Sequence, residues 1–258
     1  MRTSREDLRV PDAQADLYLV GLGIGGFDSR TIEVDDILRS TSAIFHLTAF
    51  DDELRNRYSG LVIDLKPLYE SGDDPQVIYA AMAEAVLDTL AHLPEGHTAA
   101  FLTYGHTLFL VDSNWELLRR VGEIGRRAKA IAATSFLDQV LVDLRSRFDG
   151  GFQSYESNLF YRERIRLDER MPLLLSQVGD FGSSSLRPTS KLLERVHPLF
   201  DRLSQVYPAE RECALIFSAW RSDVAPQCTW TSIGELSTLV SSVHVGCSLF
   251  VAGERLGG

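Results

Sequence analysis

What most constrains this chain is an alternation. Between residues 16 and 150, short apolar runs with strand character (17–20, 43–47, 61–65, 98–103 and 130–133) alternate with helical stretches (31–39, 75–93, 114–125 and 136–148). In the second helix Val77, Ile78, Met82, Ala85, Val86, Thr89 and Leu90 fall on one stripe, and Pro75 sits at its start, where a missing amide costs little. Such a rhythm implies a mostly parallel sheet covered on both faces. It breaks at Phe148-Asp149-Gly150-Gly151-Phe152. Beyond the break, 173–178, 214–220 and 247–252 are strand-like, 190–207 suits one long amphipathic helix, and 233–240 a short one. The expected fold class is therefore α/β in two domains. An N-terminal domain over 16–150 has a mostly parallel sheet, and a smaller C-terminal domain over 151–253 has a mixed one.

The length of 258 residues suits two domains. A formal net charge of −10, with basic pairs (Arg119–Arg120, Arg126–Arg127) only beside apolar helical positions, argues against a nucleic-acid partner. Cys213, Cys228 and Cys247 have neither zinc-site nor disulfide-framework spacing, which suggests a reducing compartment. The polar, mixed-charge start is not a signal peptide, and no stretch approaches the ~18–20 apolar residues of a membrane helix. The expectation is a cytoplasmic protein without a membrane partner.

Chemistry should gather in the loops after the strands, because open α/β sheets bind ligands at the carboxyl ends of their strands. The first strand runs into Gly21-Leu22-Gly23-Ile24-Gly25-Gly26. Gly21, Gly23 and Gly26 match a bare dinucleotide pattern, but the end of the second strand offers His46 and Thr48 where an acidic residue is needed. A tight turn without ligand is the plainer reading of that loop. The fourth strand is followed by Thr103-Tyr104-Gly105-His106-Thr107, which supplies a phenol and an imidazole, and the fifth by Thr134-Ser135. Tyr69 and Tyr79 flank a polar loop and could stack on a substrate or serve as acid or base; alternatively, they are a loop anchor and a helix-face residue.

Taken in order, these motifs resemble the tetrapyrrole-methylase superfamily, the class III methyltransferases. The resemblance rests on Leu19-Val20-Gly21-Leu22-Gly23-Ile24-Gly25, the tyrosine loop, Tyr104-Gly105-His106, Ser135 and a second α/β domain. It is nearest to the borosin-type peptide α-N-methyltransferases. Their fourth-strand loop is Y-G-H-P, their paired tyrosines are spaced like Tyr69 and Tyr79, and their Q-V-G strand end resembles Gln177-Val178-Gly179. The resemblance implies a homodimer that holds S-adenosyl-L-methionine between its two domains and releases S-adenosyl-L-homocysteine. It assigns cofactor contact to Gly23, Tyr104, His106, Phe109, Ser135 and Gln177, and then to Ser218, Ala219 and Ser232. Tyr69, Tyr79 and Tyr104 become the catalytic residues that polarise or deprotonate an amide. The methyl donor needs no metal.

Departures from that pattern carry information. The family arginine after the first tyrosine is Pro75 here, so a cation favouring a phenolate must come from elsewhere, with Lys66 a candidate. Thr107 replaces the proline of Y-G-H-P, and Ala133-Thr134 the P-G before the serine. The chain ends at Arg255-Leu256-Gly257-Gly258 without an apolar core peptide, so the implied substrate is a separate precursor peptide. Two alternatives stand beside peptide N-methylation. One is a methyltransferase of the same fold acting on a tetrapyrrole or small metabolite. The other is a catalytically silent binding or scaffold protein.

Overall fold

A computed structural model of the chain describes residues 15–70, 74–146, 150–183, 195–221 and 223–254. It divides into two compact units, residues 1–135 and 136–258. The division falls before the helix at 136–144 rather than at the Gly150-Gly151 break.

The first unit holds five parallel strands, β1 (Leu17–Gly21), β2 (Ala43–His46), β3 (Leu61–Asp64), β4 (Ala99–Thr103) and β5 (Ala128–Ala130), in the order β3-β2-β4-β1-β5. Every residue of β2 and β4 is buried, which is why those segments are apolar without alternation. The helices are α1 (Ile32–Ser40), α2 (Asp51–Arg57), α3 (Lys66–Tyr69), α4 (Pro75–His92) and α5 (Asp112–Arg120). Thr31 caps α1 by accepting from the Val34 amide at 3.2 Å, and Asp74 caps α4 by accepting from Gln76 at 2.9 Å. The expected helix over 114–125 is α5 plus a 3-10 turn, Val121–Ile124, ended by Gly125 in the left-handed conformation. α2, with Leu54 as its buried residue, was missed because DDELRNR has no apolar period.

The second unit carries α6 (Phe136–Leu144), α7 (Ser157–Arg162) and α8 (His197–Val206). Its strands are β6 (Gln153–Glu156), β7 (Leu173–Ser176), β8 (Glu212–Phe217), β9 (Gln227–Ser232) and β10 (Cys247–Val251), in the order β6-β7-β10-β8-β9. β6 pairs parallel with β7, and the other pairings are antiparallel, so the sheet is mixed as expected. Alternate side chains serve opposite faces. Leu173, Leu175, Cys213, Leu215 and Leu249 join Phe160, Leu199, Phe200, Leu203 and Leu236 on one face. Leu174, Ala214, Ile216 and Phe250 meet Val140 and Leu144 of α6 on the other. That packing is why α6 belongs to this unit. The expected helix over 190–207 begins at His197, with Pro198 in its first turn; residues 190–194 lie outside the described residues, as do 147–149 beyond α6. The expected helix at 233–240 is a 3-10 helix, Ile233–Ser242.

Candidate active site

Because all five strands of the first sheet run the same way, the loops after β1, β3, β4 and β5 leave from one edge. The glycine loop and the tyrosine–histidine loop are joined there by backbone. The Gly23 amide donates to the Gly105 carbonyl at 3.1 Å, and the Gly105 amide returns a bond to Gly23 at 3.0 Å. A β-carbon on Gly21 would overlap the Gly105 carbonyl oxygen, and one on Gly23, where φ is 76°, would lie 3.4 Å from Thr134. The glycines therefore let three strand-end loops close on one another. Gly23 and Gly105 spend their amides on each other rather than on a phosphate, and a 3-10 turn (Phe27–Ser29), not a helix, follows the loop. At the end of β2, His46 is fully buried, with Nε2 3.0 Å from Asp51 Oδ1. Nothing in this arrangement resembles a dinucleotide cradle.

Tyr104 stands at the mouth of this junction. Burial pushes its phenol up to about 12, partly offset by a hydrogen bond from the Gly25 backbone. His106 Nδ1 accepts from the amides of Leu108 at 3.0 Å and Phe109 at 3.1 Å, so the ring proton sits on Nε2, which is left to donate. Thr107 is buried and its hydroxyl donates to the Ile131 carbonyl, while Asn114 Nδ2 donates to the Thr107 carbonyl at 2.6 Å. These bonds hold the loop where the resembled family has a proline. Asn114, fully buried in the first turn of α5, was not anticipated; a polar D-S-N opening directly after the loop is the signal that could have found it.

Tyr69 closes α3, and Tyr79 lies one turn into α4. Burial first, and then the neighbouring Tyr69 and Asp112, raise the Tyr79 phenol to about 12. Among the described residues, the groups acting on the Tyr79 phenol are Tyr69 and Asp112 and not Lys66. Phe109 is partly exposed, and Ser135 half-buried at the last position of the β5 loop.

In the second unit β6, β7 and β8 run the same way, since β7 and β8 both pair antiparallel with β10. Their carboxyl ends carry Glu156, Gln177 and Ser218. Gln177 adopts the left-handed conformation (φ 56°, ψ 36°) with an exposed side chain, and its carbonyl accepts from Ser157 Oγ at 2.9 Å. Ser218 Oγ is buried with no hydrogen-bond partner among the described residues, and Ala219 beside it is half-buried. Ser232 stands apart. It pairs with Glu212 at the start of β8, whereas Gln227 pairs with Phe217 at its end. Ser232 is therefore at the opposite edge of the sheet, about 20 Å from Ser218 at the usual rise per residue.

The described surface also has a concavity of about 600 Å³ beside Asp16, His97, Arg126 and Arg127, at the amino edge of the first sheet, and one of about 500 Å³ beside α1. The first touches none of the loops above, and the second reaches only Ile131 at the start of the β5 loop. Among the described residues no cluster of three or more His, Cys, Asp or Glu could hold a metal, and no helix is long and apolar enough to cross a membrane.

No protein-family model matches this sequence, and no curated protein sequence does either. Solved structures do match. A uroporphyrin-III-C-methyltransferase from Thermus thermophilus superposes with a TM-score of 0.65 at 17% identity, over 93% of this chain and 94% of that one. The methyltransferase CobJ gives 0.66 at 11% identity, over 95% and 98%. The cobalamin biosynthetic enzyme cobalt precorrin-4 methyltransferase, CbiF, gives 0.62 at 12%, over 94% and 96%. The chain has the fold of these methyltransferases. At such identities the likeness speaks for the architecture of both units, and the site has to be argued from this chain's own residues.

Proposed function

We propose that the chain is an S-adenosyl-L-methionine-dependent methyltransferase that methylates backbone amide nitrogens of a separate peptide, as the borosin-type enzymes it resembles do. The observation that carries the reading is the gathering of phenols after strands that end on one side of the first sheet: Tyr69, the half-buried Tyr79 in α4 and the partly exposed Tyr104.

The residues fit the cofactor in kind. Tyr104, His106 Nε2 and Ser135 offer donors around the Gly23–Gly105 junction, and with Gly23 and Phe109 they would hold it in the first unit. In the second unit Gln177, Ser218 and Ala219 follow strands that end at one edge, where Ser218 Oγ is buried without a partner among the described residues, and Ser232 lies at the other edge. When bound, S-adenosylmethionine supplies an electrophilic methyl group.

An amide nitrogen is a poor nucleophile because its lone pair is delocalised into the carbonyl. A phenol that donates to the carbonyl oxygen stabilises charge there and makes the nitrogen more nucleophilic. Tyr79 and Tyr104 keep their protons and are suited to that role, so the chemistry assigned to them is polarisation rather than deprotonation. Neutral His106 donates through Nε2 and orients its partner. The homodimer is part of the same proposal.

The likeness to tetrapyrrole enzymes favours a second reading, a tetrapyrrole substrate. The charge at the sheet edge argues against it. Asp74 and Asp112 are exposed at the starts of α4 and α5, while Arg30 and Arg57 are bound to Asp35 and Arg55 to Asp51, and a uroporphyrin is itself a polycarboxylate. Calorimetric titration with S-adenosylmethionine and, separately, with NAD tests the proposal. Micromolar binding of the first alone supports it, and binding of neither makes the silent-scaffold reading the better one.

A further inference from the structure

The loop between β4 and α5 holds a feature that extends beyond the cofactor residue Phe109. Leu108-Phe109-Leu110-Val111 is an unbroken apolar run on a loop, and Phe109 and Leu110 are 40% and 44% exposed. Leu110 has φ of 58°, the left-handed region a branched side chain rarely occupies. Trp115, on the first turn of α5, is 53% exposed, and its indole N–H is spent on the Leu108 carbonyl at 2.9 Å, so the ring offers its carbon face. The run is tied at both ends, by the Leu108 and Phe109 amides donating to His106 Nδ1 and by the Asn114 amide donating to the Val111 carbonyl. Rigid aromatic and aliphatic groups on a fixed loop make good anchors.

The patch is flanked by negative charge. Asp112 follows Val111 directly, is exposed, and is near enough to Tyr79 to raise its phenol; Asp74, capping α4 one turn before Tyr79, is also exposed. Residues 104–115 contain no lysine or arginine. We infer that this patch is the docking surface for the peptide substrate, taking an aliphatic segment flanked by basic residues and leading it to Tyr79. The inference rests on the peptide reading above. Charge complementarity favours that occupant: two copies of the patch facing each other across a two-fold axis would bring carboxylates together with no cation to meet them, and anionic lipid would be repelled.

The test uses the full chain and two fluorescein-labelled peptides with the same Val/Leu core, one flanked by lysines and one by glutamates, read by anisotropy with S-adenosylmethionine present. The lysine-flanked peptide should bind about tenfold more tightly, with the preference shrinking in Asp112→Asn and in high salt. Leu110→Gly removes the side chain at a backbone angle glycine accepts, so the variant should fold at least as well as the parent. It should weaken both peptides about tenfold while S-adenosylmethionine affinity, read by calorimetry, is unchanged. The inference is overturned if a wild-type protein that binds S-adenosylmethionine binds neither peptide, binds both alike, or is unaffected by Leu110→Gly. It is also overturned if Leu110→Gly instead dissociates a dimer in sedimentation or abolishes binding to zwitterionic vesicles. Failure of the wild type to bind S-adenosylmethionine would sink the methyltransferase reading itself, which is a distinguishable result.

Discussion

In the first unit five parallel strands send every following loop to one edge, so Gly23, Tyr69, Tyr104, His106 and Ser135 all follow strands that end on the same side. In the second unit β9 and β10 run against β6, β7 and β8, and the same logic delivers Gln177 and Ser218 to one edge but carries Ser232 to the other. The comparison teaches that a ligand residue can be placed by counting along strands only where strand direction is uniform. The units also differ in how they are tied. The first adds a polar clamp to its buried sheet: Asp35 accepts from Tyr58 Oη at 2.6 Å and from Arg30, Arg39 and Arg57 at 2.8, 2.9 and 3.2 Å. The second relies on two apolar faces of one sheet.

That contrast can be broken or sharpened in order of expected effect. Phe101 and Phe250 are buried in the two different sheets, and replacing either with alanine should cost about 3–5 kcal/mol. If the units unfold separately, Phe101→Ala and Phe250→Ala will lower different transitions in scanning calorimetry; a shared shift would erase the distinction.

Asp35→Asn should cost about 3 kcal/mol, because it strips the carboxylate from Arg30, whose side chain is only 6% exposed. The clamp also sets a pH dependence. Although burial alone would raise the Asp35 carboxyl, hydrogen bonds from Tyr58 and the arginines hold it well below the usual carboxylate range. A depressed pKa contributes stability that is complete above the unfolded value of about 4 and is lost as pH falls towards the folded one. The first unit should therefore lose stability on acidification below about pH 4, and Asp35→Asn should flatten that loss in acid-titrated urea melts.

Tyr79→Phe should slow turnover about 100-fold with cofactor affinity unchanged. With its phenol at about 12, wild-type turnover should show no rise from tyrosine ionisation between pH 7 and about 10. A rate climbing through that range would show a phenolate base and overturn the donor role. The smallest effect separates the two edges of the second sheet. Gln177→Ala should weaken S-adenosylmethionine binding about tenfold, and Ser232→Ala should leave it unaltered. Equal losses would mean that strand direction does not govern the site.

How much of this was legible beforehand varies residue by residue. The apolar runs of β1, β4, β7 and β10, the stripe and proline start of α4, and the junction glycines all have local causes: burial on both faces, a helical period, a close backbone approach. The edge strands β6 (QSYE) and β9 (QCTWTS) were not legible, because an edge strand is held by hydrogen bonds to one neighbour and need not be apolar. The left-handed Leu110 and the bonds from Thr107 and Asn114 depend on partners far along the chain or on context that no local pattern encodes. By itself the sequence determined the fold class, the two-domain organisation and the chemical character of the strand-end loops, since these follow from which consecutive residues must be buried. Tertiary structure alone decided the upward shift of the Tyr79 phenol, the placement of Ser232 and the exposure of the Leu110–Trp115 patch. Each depends on desolvation, strand direction or packing between segments distant in sequence, and such interactions leave no period in the chain.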